Sequence, residues 1–175
     1  MDKASSQLAV LAEALGKALQ DRGQTMTAAE SCTGGWIAKA VTDIPGSSSW
    51  FECAFVTYSN EAKQAMLGVR ASTLAEHGAV SEATVREMVL GALERSGADF
   101  AVAVSGVAGP AGGSAEKPIG TVWFAWAVRG GEPITRRVQF SGDREAVRLQ
   151  SVVAALGGFM SLLAGEQPAS GEGES

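Results

Sequence analysis

The 175-residue sequence has only two cysteines, Cys32 and Cys53, and one histidine, His77. At most one disulfide is possible, so no cross-linked secreted scaffold is indicated. One imidazole and two thiols do not supply the usual ligand set of a zinc site, and neither a metal nor another cofactor is expected. Basic residues are also few: 14 Lys and Arg against 19 Asp and Glu leave a formal charge of −5. Apart from Arg136-Arg137 they are scattered, whereas phosphate-backbone binding needs clustered cations, so nucleic acid is not an expected partner. No run of about 18 apolar residues marks a membrane span. No long apolar stretch of a signal peptide follows Asp2, Lys3, Ser5 and Ser6. A cytoplasmic protein that meets a small molecule or another protein is the default expectation.

What is present is a globular balance, 46% hydrophobic and 19% charged, in a chain long enough for one domain with a sizeable core. From Gly165 to Ser175 the composition turns to Gly, Ser, Glu and Pro. The expected organisation is therefore a domain over residues 1–164 and a disordered tail over 165–175.

Leu8, Leu11, Leu15 and Leu19 recur at helical spacing and predict a helix from Ser6 to about Arg22. An extended segment to Ala29, a turn at Glu30–Gly35 and a helix ending before Pro45 follow. Trp50–Tyr58 alternates and is rich in aromatic and β-branched residues, as a strand is. Asn60–Leu67 reads as a short helix with Ser59 as its N-cap, and Ser72–His77 as another. Ser81 opens a helix that buries Val85, Met88, Val89 and Leu93. Phe100–Val104 is apolar throughout, as in a strand covered on both faces. Gly120–Val128 and Ile134–Phe140 predict two more strands, with a hairpin signal at Gly130-Gly131. Asp143 caps a last helix that runs to Leu163. Strands interleaved with helices imply a three-layer α/β/α sandwich around a mixed, mainly parallel sheet.

Four constellations carry candidate chemistry. Ser31, between a strand end and Gly34-Gly35, lies where backbone N–H groups face outward and stabilise an anion or oxyanion; equally, Ser31 or Thr33 is a helix cap. Cys32 is a rival nucleophile or a small buried residue. Lys63, after Tyr58 at a strand end, is a general base for Ser31 if its pKa is depressed, or a solvated helix residue. Ser105-Gly106-Val107-Ala108-Gly109 follows an apolar strand, where α/β proteins bind ligands, but lacks the Walker A ending. Arg144 and Arg148, one helical turn apart, either clamp a phosphate or answer the acidic surface. His77 is better explained as a helix C-cap than as a catalytic base.

The segments 27–35, 45–48, 58–63, 77–81, 106–110, 117–122 and 142–144, in this order, resemble the CinA C-terminal domain family from about Leu8 to Leu163. Its enzymatic members are nicotinamide mononucleotide (NMN) deamidases of pyridine-nucleotide salvage. The resemblance implies hydrolysis of the NMN carboxamide to nicotinate mononucleotide and ammonia. Ser31 is then the nucleophile and Lys63 and Tyr58 its activating partners. Substrate contacts are expected from Glu30, Cys32, Thr33, Gly34, Gly35, Ser48, Ser105, Gly106, Ala108, Gly109 and Arg144. Ser105 stands where relatives commonly have Thr, and Ala111 where they commonly have Gly. Many relatives carry a further N-terminal domain; 175 residues leave no room for it, so pyrophosphatase activity is not expected. The competing expectation is a non-catalytic nucleotide-sensing or protein-interaction module linked to competence or DNA damage. A homodimer is an open expectation, should Trp123 and Trp126 prove exposed.

Overall fold

In the computed structural model, which describes residues 3–167, the chain begins with α1 (Lys3–Arg22), whose Leu8, Leu15 and Leu19 are buried. Next come β1 (Met26–Glu30), α2 (Trp36–Thr42) and β2 (Phe51–Val56). Three helices follow: α3 (Asn60–Leu67), α4 (Ala71–His77) and α5 (Glu82–Ser96). Then β3 (Phe100–Gly106), β4 (Thr121–Val128) and β5 (Ile134–Gln139) precede α6 (Arg144–Leu163). The expected caps form: Ser59, Ser81 and Asp143 accept from the amides of Ala62, Thr84 and Ala146. The expected tail lies largely outside the described residues.

The five strands stand in the order β2-β1-β3-β4-β5. β1 pairs in parallel with both β2 and β3, while β4 runs antiparallel to β3 and β5. Four strands therefore point one way and β4 alone opposes them. The chain leaves β1 for β2 on one side and later returns to β3 on the other. The carboxyl end of β1 is thus a topological switch point, where the flanking connections part and leave a crevice.

The two faces of the sheet differ in side-chain size. Met26, Phe100, Val102, Val104, Phe124 and Trp126 point to the layer of α1, α2 and α6. Ala29, Ala101, Ala103, Ala125 and Ala127 point to α5 and its neighbours. The alanine face lets α5 lie close, and its Val85, Met88, Val89 and Leu93 fill the space. On the other face, helix glycines admit the large rings. A Cβ at Gly158 would stand 2.3 Å from the Trp126 ring, and one at Gly16 would stand 2.6 Å from that of Trp50.

Trp126 is completely buried, its Nε1 donating to the Ala155 carbonyl, and Trp123 is half-buried against the α5 layer. The tryptophan argument for a dimer therefore loses its exposed apolar face. By length and composition α6 would suffice to cross a membrane. Here it is a core helix, with Val152, Leu156 and Phe159 wholly enclosed.

Candidate active site

Glu30, the last residue of β1, is wholly buried. One carboxylate oxygen accepts from the Thr33 hydroxyl (2.6 Å) and the amides of Gly35 (3.1 Å) and Ile37 (3.0 Å); the other accepts from Ala38 (2.9 Å). These are the orphan donors of the first turn of α2, gathered by a carboxylate that also suits the helix dipole. Glu30 was expected among the substrate contacts; its charge is instead enclosed by the chain's own donors. Gly34 and Gly35 adopt φ of 60° and 96°, left-handed values that a residue with a Cβ rarely accepts. The tight turn they permit brings Ser31 out at the end of the central strand.

Lys63 reaches this point from the first turn of α3. Its ammonium nitrogen lies 2.9 Å from Ser31 Oγ, 2.7 Å from the Thr57 carbonyl and 3.4 Å from that of Tyr58. The residue is 1% exposed and the described residues place no carboxylate in a salt bridge with it. Burial lowers its pKa from the usual 10.5, an effect opposed by the neighbouring Cys32. Its N–H groups donate to two carbonyls and to the Ser31 hydroxyl, all within the protein interior. Lys63 is therefore not a solvated helix residue.

The Cys32 thiol beside Ser31 is pushed up to about 12, chiefly by burial, and stays protonated and unreactive. Tyr58 sits differently from expectation. Its main-chain oxygen touches Lys63, whereas its hydroxyl is turned outward, 2.8 Å from Arg144 Nη2. The same guanidinium donates to the Gly109 carbonyl at 2.8 Å. Arg144 thus ties the β2 end to the glycine loop across the mouth of the site.

Ser105 is buried, its hydroxyl donating to the Ala79 carbonyl, which anchors the α4–α5 junction to β3. Gly106 and Ala108 begin the loop alongside, and a Cβ at Gly106 would stand 2.6 Å from Val122. Ser48 is the one expected site residue that lies elsewhere. It belongs to the 3-10 turn before β2, and Phe51 pairs with Met26, so it is at the opposite edge of the sheet from Ser31. His77 ends α4, its carbonyl accepting from Lys117 Nζ at 2.6 Å.

Sequence reasoning underrated Arg148. Its Nε donates to the Cys32 carbonyl and its Nη2 to that of Thr33, both at 3.0 Å, with the guanidinium carbon 5.5 Å from the Trp36 ring centre. The only signal for it was its place one turn after Arg144. A cavity of about 700 Å³ lies beyond this arginine between α1, α2 and α6. It shares Thr33, Gly34 and Arg148 with the site but does not include Ser31.

The buried contact between Ser31 and Lys63 thus lies at the topological switch point of the sheet. The CinA C-terminal domain family matches residues 8–163. The chain belongs to this family. A curated relative from Escherichia coli strain K12, named nicotinamide-nucleotide amidohydrolase PncC, is 64% identical over 151 residues, covering 86% of this chain and 92% of its own. One of the same name from Pseudomonas putida is 55% identical, covering 89% and 96%. The crystal structure of the competence/damage inducible protein CihA from Agrobacterium tumefaciens superposes with a TM-score of 0.87 at 45% identity, covering 90% of this chain and 96% of that one. These three relatives match this chain over nearly their whole length.

Proposed function

We propose that the protein hydrolyses the carboxamide of NMN to nicotinate mononucleotide and ammonia, as a step of pyridine-nucleotide salvage. The observation that carries this reading is the 2.9 Å contact between Ser31 Oγ and the buried amine of Lys63. The names of the PncC relatives supply the substrate.

In the first half-reaction Ser31 gives its proton to Lys63 as Oγ attacks the carboxamide carbon. The C–N bond then breaks, and the proton returned by Lys63 makes the leaving group ammonia. In the second half-reaction Lys63 takes a proton from water as its oxygen attacks the acyl carbon; the C–Oγ bond breaks, Lys63 returns that proton to Ser31 Oγ, and the acid released ionises to the carboxylate. The developing oxyanion needs donors at the turn. The amides of Gly35, Ile37 and Ala38 already serve Glu30, Gly34 N–H donates to the Ser31 carbonyl, and Trp36 N–H to that of Thr33. Among the described residues, the amides of Cys32 and Thr33 are left without an acceptor oxygen.

Thr33, Gly34, Gly106, Ala108, Gly109 and Arg144 rim the mouth and suit the ribose and phosphate. Arg144 brings a guanidinium bonded only to neutral oxygens. Tyr58 acts through its hydroxyl at this rim. Glu30 and Ser105 support the site from behind.

Ammonia release from NMN by the purified protein, without added metal, tests the reading, and Ser31→Ala should abolish it. Nucleotide binding without turnover, unchanged in Ser31→Ala, would instead establish a non-catalytic module.

A further inference from the structure

We propose that Arg148 is a positioning residue of the oxyanion hole, acting on the substrate only through the backbone of the nucleophile turn; this rests on the Ser31 mechanism above. A trans peptide is planar, and its N–H points opposite to its C=O. Arg148 Nε fixes the Cys32 carbonyl, so the Thr33 N–H of the same peptide faces away from the arginine. Arg148 Nη2 fixes the Thr33 carbonyl, so the Gly34 N–H faces away too.

The second of these directions is verified within the chain, because Gly34 N–H ends 3.1 Å from the carbonyl oxygen of Ser31. The first is the direction of the Thr33 amide, which has no acceptor there. Arg148 thus pulls two carbonyls outward, and the inward sides of the peptides become donors next to Ser31. Glu30 holds the same turn from the opposite side by its amides and the Thr33 hydroxyl. The turn is gripped by an anion on its donors and a cation on its acceptors.

The charge of Arg148 adds to the geometry. It forms no salt bridge among the described residues and is stacked over Trp36, so its field falls on the carbonyls it holds. A cation at the oxygen of a peptide polarises that peptide and makes its N–H a stronger donor. A surface arginine answering Glu145 would do neither. The side chain approaches from the cavity side, beyond the turn that carries Ser31, and needs no contact with substrate.

Two readouts test this: steady-state hydrolysis of NMN, and the rate at which an alkyl fluorophosphonate labels Ser31, followed by mass spectrometry. In labelling, the Ser31 oxygen–phosphorus bond forms, fluoride leaves and Lys63 takes the hydroxyl proton. The phosphoryl oxygen uses the same donors without any need for NMN. Arg148→Met keeps an apolar stem against Trp36 and removes both hydrogen bonds. It should lower kcat about tenfold or more, short of the roughly 10²–10³-fold expected for deleting a donor outright. KM should stay within about twofold, and labelling should slow by the same factor as kcat.

Arg148→Lys, which keeps the charge and one donor, should fall between the two, and it decides the matter if the Met variant does not fold. Added guanidinium ion should restore labelling to Arg148→Ala. A raised KM with kcat intact would show that Arg148 binds substrate directly and overturn the proposal, as would unchanged labelling in all variants. A wild type that labels but leaves NMN intact would sink the substrate reading alone, and the labelling ratios would still decide Arg148.

Discussion

Lys63 sits where burial disfavours its charged form. Its partners are two carbonyls and a hydroxyl, and its pKa falls below 10.5 because water is excluded. Only the neutral form accepts the Ser31 proton, so kcat/KM for NMN should rise with pH along a limb set by that lowered pKa. Lys63→Met should abolish turnover at every pH, and an alkaline limb that persists in it would move the base elsewhere. Cys32 gives the contrasting case. Its thiol is held protonated to about 12, so Cys32→Ala should leave Ser31 reactive, with fluorophosphonate labelling of Ser31 as the check. A labelling rate that vanished in Cys32→Ala would return the cysteine to the reaction.

At the scale of elements, the site hangs on how strands hand over to helices. The β1–α2 turn is held by Glu30, and replacing it with alanine leaves three buried amides and a hydroxyl without their acceptor. Each unsatisfied donor costs about 1–3 kcal/mol, so Glu30→Ala should lose more than about 3 kcal/mol in urea unfolding. On the other face, a Cβ at Gly91 of α5 would stand 1.9 Å from the Leu67 carbonyl. Gly91→Ala should therefore push α3, which carries Lys63, off α5 at a cost of about 1–3 kcal/mol, with a drop in kcat accompanying the lower midpoint.

Most of these elements were legible in the sequence, because apolar spacing, caps and glycines act locally. Asn60–Leu67 and the cap at Asp143 came through with their boundaries. Ser31 stood out as a helix cap or a nucleophile alike, and only the further segments resembling the family favoured the second. What was not legible is what the strand order decides. The swing of Tyr58 to Arg144 and the grip of Arg148 on Cys32 and Thr33 join residues far apart in sequence. Ser48 failed because adjacency in a motif list does not say at which end of a strand a loop lies.

For the molecule as a whole, two buried groups tilt stability in opposite directions as pH rises. The folded pKa of Lys63 is below its unfolded one, so between them the unfolded chain holds a proton that the native state lacks, and stability rises with pH. Cys32 does the reverse: between its usual 9.0 and about 12 the native state keeps a proton that the unfolded chain sheds, and stability falls. Unfolding midpoints of Lys63→Met and Cys32→Ala against the wild type, taken across this alkaline range, should separate the two slopes. A wild-type slope that survives unaltered in both variants would assign it to other groups.

The buried amine has one more consequence, and it concerns what selection sees. At neutral pH the fold must strip water from an amine held by two carbonyls and a hydroxyl, so Lys63→Met, which removes that burial cost, should melt higher than the wild type. A library screened only for thermal survival would discard the lysine early and report success. The protein that endured best would be the one that had forgotten its chemistry.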